Sequence, residues 1–132
     1  MSKIIIGVGL ILIVASVVII TGCSKTTTVI IDDSPAITET VQFSKTIVPL
    51  LTQNCAGSGC HGGSVAPNLS ATNAYSSLQT GNFINLAAPK SSLVYLWLTG
   101  KEAATMPMGA ANNPSNINAL ILAWITQGAK NN

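Results

Sequence analysis

The sequence predicts an all-α domain over residues 42–132, and three observations support this prediction. Apolar residues recur at helical spacing in several short segments, most clearly near the end of the chain. No segment alternates apolar and polar residues in the way that a half-exposed strand does. Glycine, proline and serine separate the periodic segments, so we expect about three to five short helices.

Residues 1–22 predict a targeting segment. Lys3 precedes an uncharged apolar run over residues 4–20, and small residues follow it. Ile20-Thr21-Gly22-Cys23 resembles a bacterial lipobox, which implies that residues 1–22 are cleaved and that Cys23 carries lipid. The alternative is an uncleaved membrane helix, since the run is just long enough to span a bilayer.

Both alternatives export the rest of the chain and leave it attached to a membrane. Residues 23–41 are mostly polar or β-branched, and we expect them to form a lipidated cysteine with a flexible tether. The expected location is the bacterial cell envelope, facing the periplasm or the exterior. Ser24 is not acidic, which favours the outer membrane by analogy with other lipoproteins.

Two helices are predicted in the first half of the domain. The first carries four apolar residues at helical spacing: Phe43, Ile47, Leu50 and Leu51. Pro49 is tolerated there if Thr46 is the N-cap, because first-turn N–H groups have no partner within the helix. Residues 75–79 predict a second short helix that ends at Gly81.

Two more helices are predicted in the second half. Residues 91–99 have Ser91 or Ser92 as a cap and Gly100 as a stop, and their predicted apolar face is Leu93, Leu96 and Trp97. The last helix begins near Ser115 and ends at Gly128. Its apolar stripe is the most regular in the chain: Ile117, Leu120, Ile121, Trp124 and Ile125.

Charge is scarce in this chain, at 8% of residues, with a net charge of +2 and no arginine. A nucleic-acid partner is therefore not expected, because neutralising phosphates takes clustered Lys and Arg. Glu102 is the only carboxylate side chain of the predicted domain. Without a second acidic group for acid–base chemistry, the chain is not expected to be an enzyme.

The most informative motif is Cys55-Ala56-Gly57-Ser58-Gly59-Cys60-His61. Two cysteines followed at once by a histidine are typical of a c-type haem site. Cys55 and Cys60 would form thioethers to the porphyrin, and His61 would bind the iron on the proximal side. Because His61 is the only histidine, we expect a single haem. The usual spacing between the cysteines is two residues, whereas here it is four.

The motif allows a disulfide as a second interpretation, whereas a zinc site is not expected. A Cys55–Cys60 disulfide stays open, because these two cysteines remain as a pair in an exported chain once Cys23 carries lipid. Zinc is not expected, because it needs four converging ligands and the chain has one histidine.

A second iron ligand is predicted in the loop before the last helix. Met106 is the first choice and Met108 the second, since a thioether is a soft ligand and the loop is rich in glycine and proline. The alternative is that both methionines fill gaps in the core.

Five segments resemble the monohaem class I cytochrome c-like domains of Bacteroidetes and Planctomycetes, some of which share the four-residue cysteine spacing. They are Ile47-Val48-Pro49-Leu50-Leu51, the cysteine–histidine motif, Pro89-Lys90-Ser91-Ser92-Leu93, Met106-Pro107, and Ala123-Trp124-Ile125-Thr126-Gln127-Gly128-Ala129. The resemblance implies the class I cytochrome c fold, with the first and last helices crossing beside one covalent haem c.

The same resemblance implies roles for further residues. The Pro67 carbonyl would accept the His61 ring proton, and Leu69 would pack on the ring; the alternative is an ordinary loop proline. Trp124 would lie at the helix crossing or against the porphyrin, and a place in the core is also compatible with its position. Apart from the resemblance, Trp97 is expected near the haem as a hydrogen-bond donor to its propionates.

The expected function is that of a membrane-tethered monohaem c-type cytochrome, which passes single electrons between exported redox partner proteins. One alternative is a haem-based sensor or accessory subunit that binds a gas at an open iron position. The other is a haem-free structural lipoprotein with a Cys55–Cys60 disulfide.

Overall fold

The computed structural model describes residues 35–102, 106–108 and 115–132. The predicted targeting segment, Cys23 and the tether up to residue 34 lie outside these ranges. Within them the protein is helical and has no strand, which agrees with an all-α fold. A π-helical turn (Phe43–Ile47) leads into α1 (Val48–Asn54), followed by α2 (Ala74–Thr80), a 3-10 turn (Pro89–Ser91), α3 (Leu93–Leu98) and α4 (Ser115–Thr126). None of the described helices is both long and apolar enough to cross a membrane.

The first helical segment starts earlier than the sequence predicts. The chain turns helically from Phe43, so the expectation that Thr46 is the N-cap was wrong. In this first turn the Ile47 N–H donates to the carbonyl of Gln42, five residues back, at 3.3 Å. Pro49 follows as the second residue of α1, a position near the start of a helix that tolerates proline. The wider π-helical turn before Pro49 therefore extends the helical segment toward the N-terminus.

Helices α2 and α4 confirm the predictions made for them, whereas α3 differs in its buried face. Tyr95 and Leu98 of α3 are buried, but Leu93 and Leu96 are only half-buried. The predicted face was therefore wrong. Every residue of this six-residue helix is apolar or aromatic, so its periodicity does not select a face.

The core forms where α4 packs against the π-helical turn and α3. Ile121, Trp124 and Ile125 of α4 are at most 1% exposed. The ring of Phe43 lies 5.0 Å from the ring of Trp124 and 5.2 Å from that of Tyr75. Full burial of such a side chain is worth about 1.5–3 kcal/mol, so this cluster holds the first and last helical segments together.

Hydrogen bonds also join the two ends of the domain. The Asn132 side chain accepts from the Phe43 N–H at 2.9 Å, and its carbonyl accepts from the Ser44 N–H at 2.8 Å. The Gln127 side chain accepts from the Val41 N–H at 2.8 Å. These acceptors satisfy N–H groups at and just before the start of the first helical segment, which have no partner within it. Gln127 and Asn132 thus fix the position of the first helical segment.

Candidate cofactor site

An apolar cavity of about 370 Å³ lies among α1, α3, α4 and the loop after the cysteine motif. Its volume falls within the range of about 300–1,000 Å³ that is typical of small-molecule sites. Most of its lining is aliphatic or aromatic. The described residues that line it are Leu51, Cys55, His61, Val65, Ala66, Pro67, Leu69, Phe83, Val94, Trp97, Leu98, Met106, Ile117 and Ile121.

Helix α1 places Cys55 at the cavity wall. Cys55 is the residue that caps the C-terminal end of α1, and its N–H donates to the Leu51 carbonyl at 2.8 Å. Its side chain is half-buried. Burial raises the pKa of the Cys55 thiol, and the nearby Cys60 raises it further. Cys60 is exposed and is not among the described residues that line the cavity.

His61 lines the same cavity and is oriented by a backbone carbonyl. Its Nδ1 lies 3.2 Å from the carbonyl oxygen of Pro67. In the tautomer with the proton on Nδ1, that nitrogen donates to Pro67 and leaves the Nε2 lone pair available to bind a metal. This is the hydrogen bond that the cytochrome resemblance implies for these two residues.

The segment after His61 folds back over the histidine. The Leu69 N–H donates to the His61 carbonyl at 2.6 Å, and the Leu69 side chain is buried at the cavity wall. The Val65 N–H donates to the Cys60 carbonyl at 3.2 Å. The resulting loop brings Pro67 and Leu69 to the same wall as the histidine that precedes them.

The two candidate methionines lie in different environments. Met106 is half-buried and lines the cavity, whereas Met108 is 77% exposed and is not among the described lining residues. Their neighbours Thr105 and Gly109 lie outside the described residues. The structure thus brings the first-choice methionine, and not the second, to the cavity that contains His61.

The two tryptophans are also separated. Trp97 lines the cavity. Trp124 is 1% exposed and lies in the core, where its indole N–H donates to the Lys130 carbonyl at 2.9 Å and its ring packs against Phe43. Trp124 is not among the described residues that line the cavity. It is a core residue, which is the alternative given for it above.

Sequence reasoning missed Phe83 and Val94, which also line the cavity. The Val94 N–H donates to the Phe83 carbonyl at 3.2 Å, which joins the start of α3 to the loop after α2. The Phe83 ring lies directly over Gly81, where a Cβ atom would overlap it. A lone aromatic residue in a loop has no periodicity that would have pointed to this position.

No family model, curated protein or solved structure matches this chain. The site must therefore be interpreted from its own chemistry. In the described ranges, no three side chains of the His, Cys, Asp and Glu types come together.

The donor set of the cavity fits a covalently held haem. His61 offers an imidazole nitrogen and Met106 a thioether sulfur. These two donor types bind the iron in many c-type haems. Cys55 adds a sulfur at the wall, close to the histidine in sequence. The surrounding aliphatic and aromatic side chains suit a large, flat and mostly apolar group.

Proposed function

We propose that this protein is a monohaem c-type cytochrome with the class I fold, and that it carries single electrons between proteins of the bacterial cell envelope. One observation carries the proposal: Cys55, His61 and Met106 line one apolar cavity, although α2 and α3 separate Met106 from the motif in sequence. A nitrogen donor from His61 and a sulfur donor from Met106 at one cavity support ligation of an iron porphyrin.

Each of the named residues has a distinct part in this proposal. Cys55 and Cys60 would hold the porphyrin covalently, and His61 would bind the iron through Nε2. Pro67 fixes the orientation of the imidazole through its carbonyl. Met106 would supply the second iron ligand. When bound, the haem supplies reversible one-electron oxidation and reduction.

The cavity wall would set the redox properties of the site. Leu51, Leu98 and Ile121 line it and are almost completely buried, so they would keep water away from a bound haem. Exclusion of water lowers the local dielectric constant and disfavours the more highly charged oxidised state. A methionine ligand also favours the reduced state. Both effects raise the reduction potential.

The remaining parts of the proposal concern location and partners. The targeting segment and the predicted lipidation of Cys23 would tether the domain to a membrane. With 8% charged residues, the chain offers little long-range steering to a redox partner. We therefore expect association with partner proteins to depend on apolar contact and to vary little with salt.

The test of the proposed function is the absorbance spectrum of the full chain, produced in a host that has the c-type haem attachment machinery. We expect a red protein with a sharp α-band after reduction, and pigment that acidified organic solvent does not extract. A colourless protein from that host would refute the proposal.

The reduced protein should also bind carbon monoxide slowly, because Met106 fills the position where a gas would bind. Fast stoichiometric binding would favour the sensor alternative instead.

A further inference from the structure

We infer that Gly62 is a positioning residue for haem attachment, because its missing side chain lets the lengthened bridge between Cys55 and Cys60 fold against the histidine. The inference rests on the proposed function and deepens it. The four-residue spacing is the main departure of this chain from the usual motif. The structure indicates how the longer bridge is held in one conformation.

The close approach at Gly62 involves backbone atoms of the bridge. A Cβ atom at Gly62 would lie 2.5 Å from the Ala56 carbonyl oxygen, 3.3 Å from its carbonyl carbon and 3.4 Å from the Gly57 carbonyl oxygen. The first of these distances is far shorter than a van der Waals contact. Because these atoms belong to the backbone, a side chain at position 62 would force the bridge itself to move.

Hydrogen bonds hold the bridge in this folded form. The His61 N–H donates to the Cys55 carbonyl at 3.1 Å, and the Cys60 N–H donates to the Gly57 carbonyl at 3.0 Å. Gly59 has a φ of +76°, a conformation that other residues rarely adopt. The bridge thus ties the backbone of one cysteine directly to that of the metal-binding histidine.

Attachment at two points requires such a fixed arrangement. Each thiol adds across one vinyl group: its S–H bond and the vinyl π bond break, and a C–S and a C–H bond form without net oxidation. Both sulfurs must reach fixed points on a rigid ring while His61 reaches its centre. A long, unrestrained bridge would lose this advantage of prior orientation.

Gly57 supplies a matched control within the same bridge. A Cβ atom there would meet only the Cys60 sulfur, at 4.0 Å, which is an ordinary contact. The change Gly57→Ala therefore adds the same methyl group as Gly62→Ala and has the same effect on chain entropy, but without a backbone clash. A general intolerance of the bridge for alanine would affect both variants alike.

The first measurement does not depend on haem. The full chain is produced without the attachment machinery, and hydrogen exchange is measured at the amides of Cys60 and His61. Since overpacking against backbone atoms destabilises the folded bridge, we expect exchange at both amides to be about tenfold faster in Gly62→Ala. Exchange in Gly57→Ala should match the unaltered chain. Equal exchange in all three proteins would overturn the inference.

The second measurement is the mass and the reduced α-band of each variant produced with the attachment machinery. Cys55→Ala leaves at most one thioether and supplies the spectroscopic reference. We expect Gly62→Ala to give haem-free chain together with product whose α-band matches that reference. Gly57→Ala should give the product of the unaltered chain. Full two-thioether attachment in Gly62→Ala would overturn the inference.

A double variant guards against a general folding defect. Glycine at position 56 gives the displaced carbonyl more freedom, so Ala56→Gly should restore part of the two-thioether product to Gly62→Ala. A folded double variant with no recovery would place the obstruction elsewhere and overturn the inference. If the unaltered chain takes up no haem while Gly62→Ala alone still exchanges faster, the proposed function fails and the role of Gly62 in the bridge stands.

Discussion

The backbone N–H of Met106 donates to the carbonyl oxygen of Trp97 across 3.1 Å. Trp97 lies in the last turn of α3, where carbonyl groups lack partners within the helix. Both side chains line the cavity. A backbone contact thus positions the methionine, and removal of its side chain should leave this hydrogen bond in place.

This relationship makes Met106 suitable for a direct test of ligation. In Met106→Ala we expect a reduction potential lower by roughly 100 mV or more and rapid binding of carbon monoxide to the reduced protein, because axial ligand identity sets potentials over a range of about 0.8 V. Spectroelectrochemical titration and a carbon monoxide titration measure the two effects.

Met108 is the matched control because it is 77% exposed. Met108→Ala should leave both the potential and the carbon monoxide reactivity of the haem unchanged. If Met108→Ala changed the potential and the carbon monoxide reactivity and Met106→Ala did not, Met108 would be the ligand and the assignment of Met106 would be wrong.

His61 supplies a second test on the other side of the proposed haem. His61→Ala should abolish the sharp α-band of the reduced protein, because no other histidine exists to replace the ligand. Added imidazole should restore the band in part, because it replaces the missing ring without the Pro67 hydrogen bond. An unchanged spectrum in His61→Ala, before any imidazole is added, would rule out proximal ligation by this residue.

The raised pKa of Cys55 predicts that the stability of the haem-free chain depends on pH. Burial and the neighbouring Cys60 raise the pKa of the Cys55 thiol in the folded state. The resulting contribution to stability is fully present below the ordinary thiol pKa, about 8.5, and is lost as the pH rises through the higher folded pKa.

The same shift should slow the reaction of Cys55 with alkylating reagents, because only the thiolate reacts. We expect iodoacetamide to modify Cys55 more slowly in the folded chain than in urea, with the difference narrowing at alkaline pH. Peptide mass spectrometry follows the reaction at this residue. Equal rates in the folded and unfolded chains would contradict the burial of this thiol.

Substitutions of Trp124 and Trp97 should affect different properties: the first the stability of the fold, the second the properties of the haem. Trp124→Phe removes the hydrogen bond to the Lys130 carbonyl and should lower the free energy of unfolding by about 1–3 kcal/mol. The α-band should be unaffected. Trp97→Phe should have a smaller effect on unfolding but should change the potential, because Trp97 lines the cavity. Urea denaturation of the haem-loaded proteins and redox titration make this comparison, and a spectral change confined to Trp124→Phe would contradict it.

The sequence predicted those parts of the molecule that depend on local pattern. The regular stripe of α4 gave its position correctly, with Ile117, Ile121, Trp124 and Ile125 buried. The motif and the methionine loop could be singled out because few other chemistries use these residues together. The structure then brings Cys55, His61 and Met106 to one cavity.

Other features depend on packing between distant segments and left no local signal. The helix that contains Tyr95 and Leu98 is apolar throughout, so only its neighbours decide which side is buried. Trp124 has a surface that suits either the core or a porphyrin, and its bond to Lys130 decides in favour of the core. Phe83 reaches the cavity wall through a loop, and the space over Gly81 that admits its ring is a property of the folded chain.

The intact mass of the denatured protein tests the central claim most directly. The full chain and its Cys55→Ala/Cys60→Ala variant are produced together in a host that attaches haem, so that any lipid at Cys23 adds equally to both. We predict that the unaltered chain carries the additional mass of one haem, after allowance for the two substitutions, and that the variant does not. An unaltered chain without that mass, and with its two thiols joined as a disulfide, would contradict the claim.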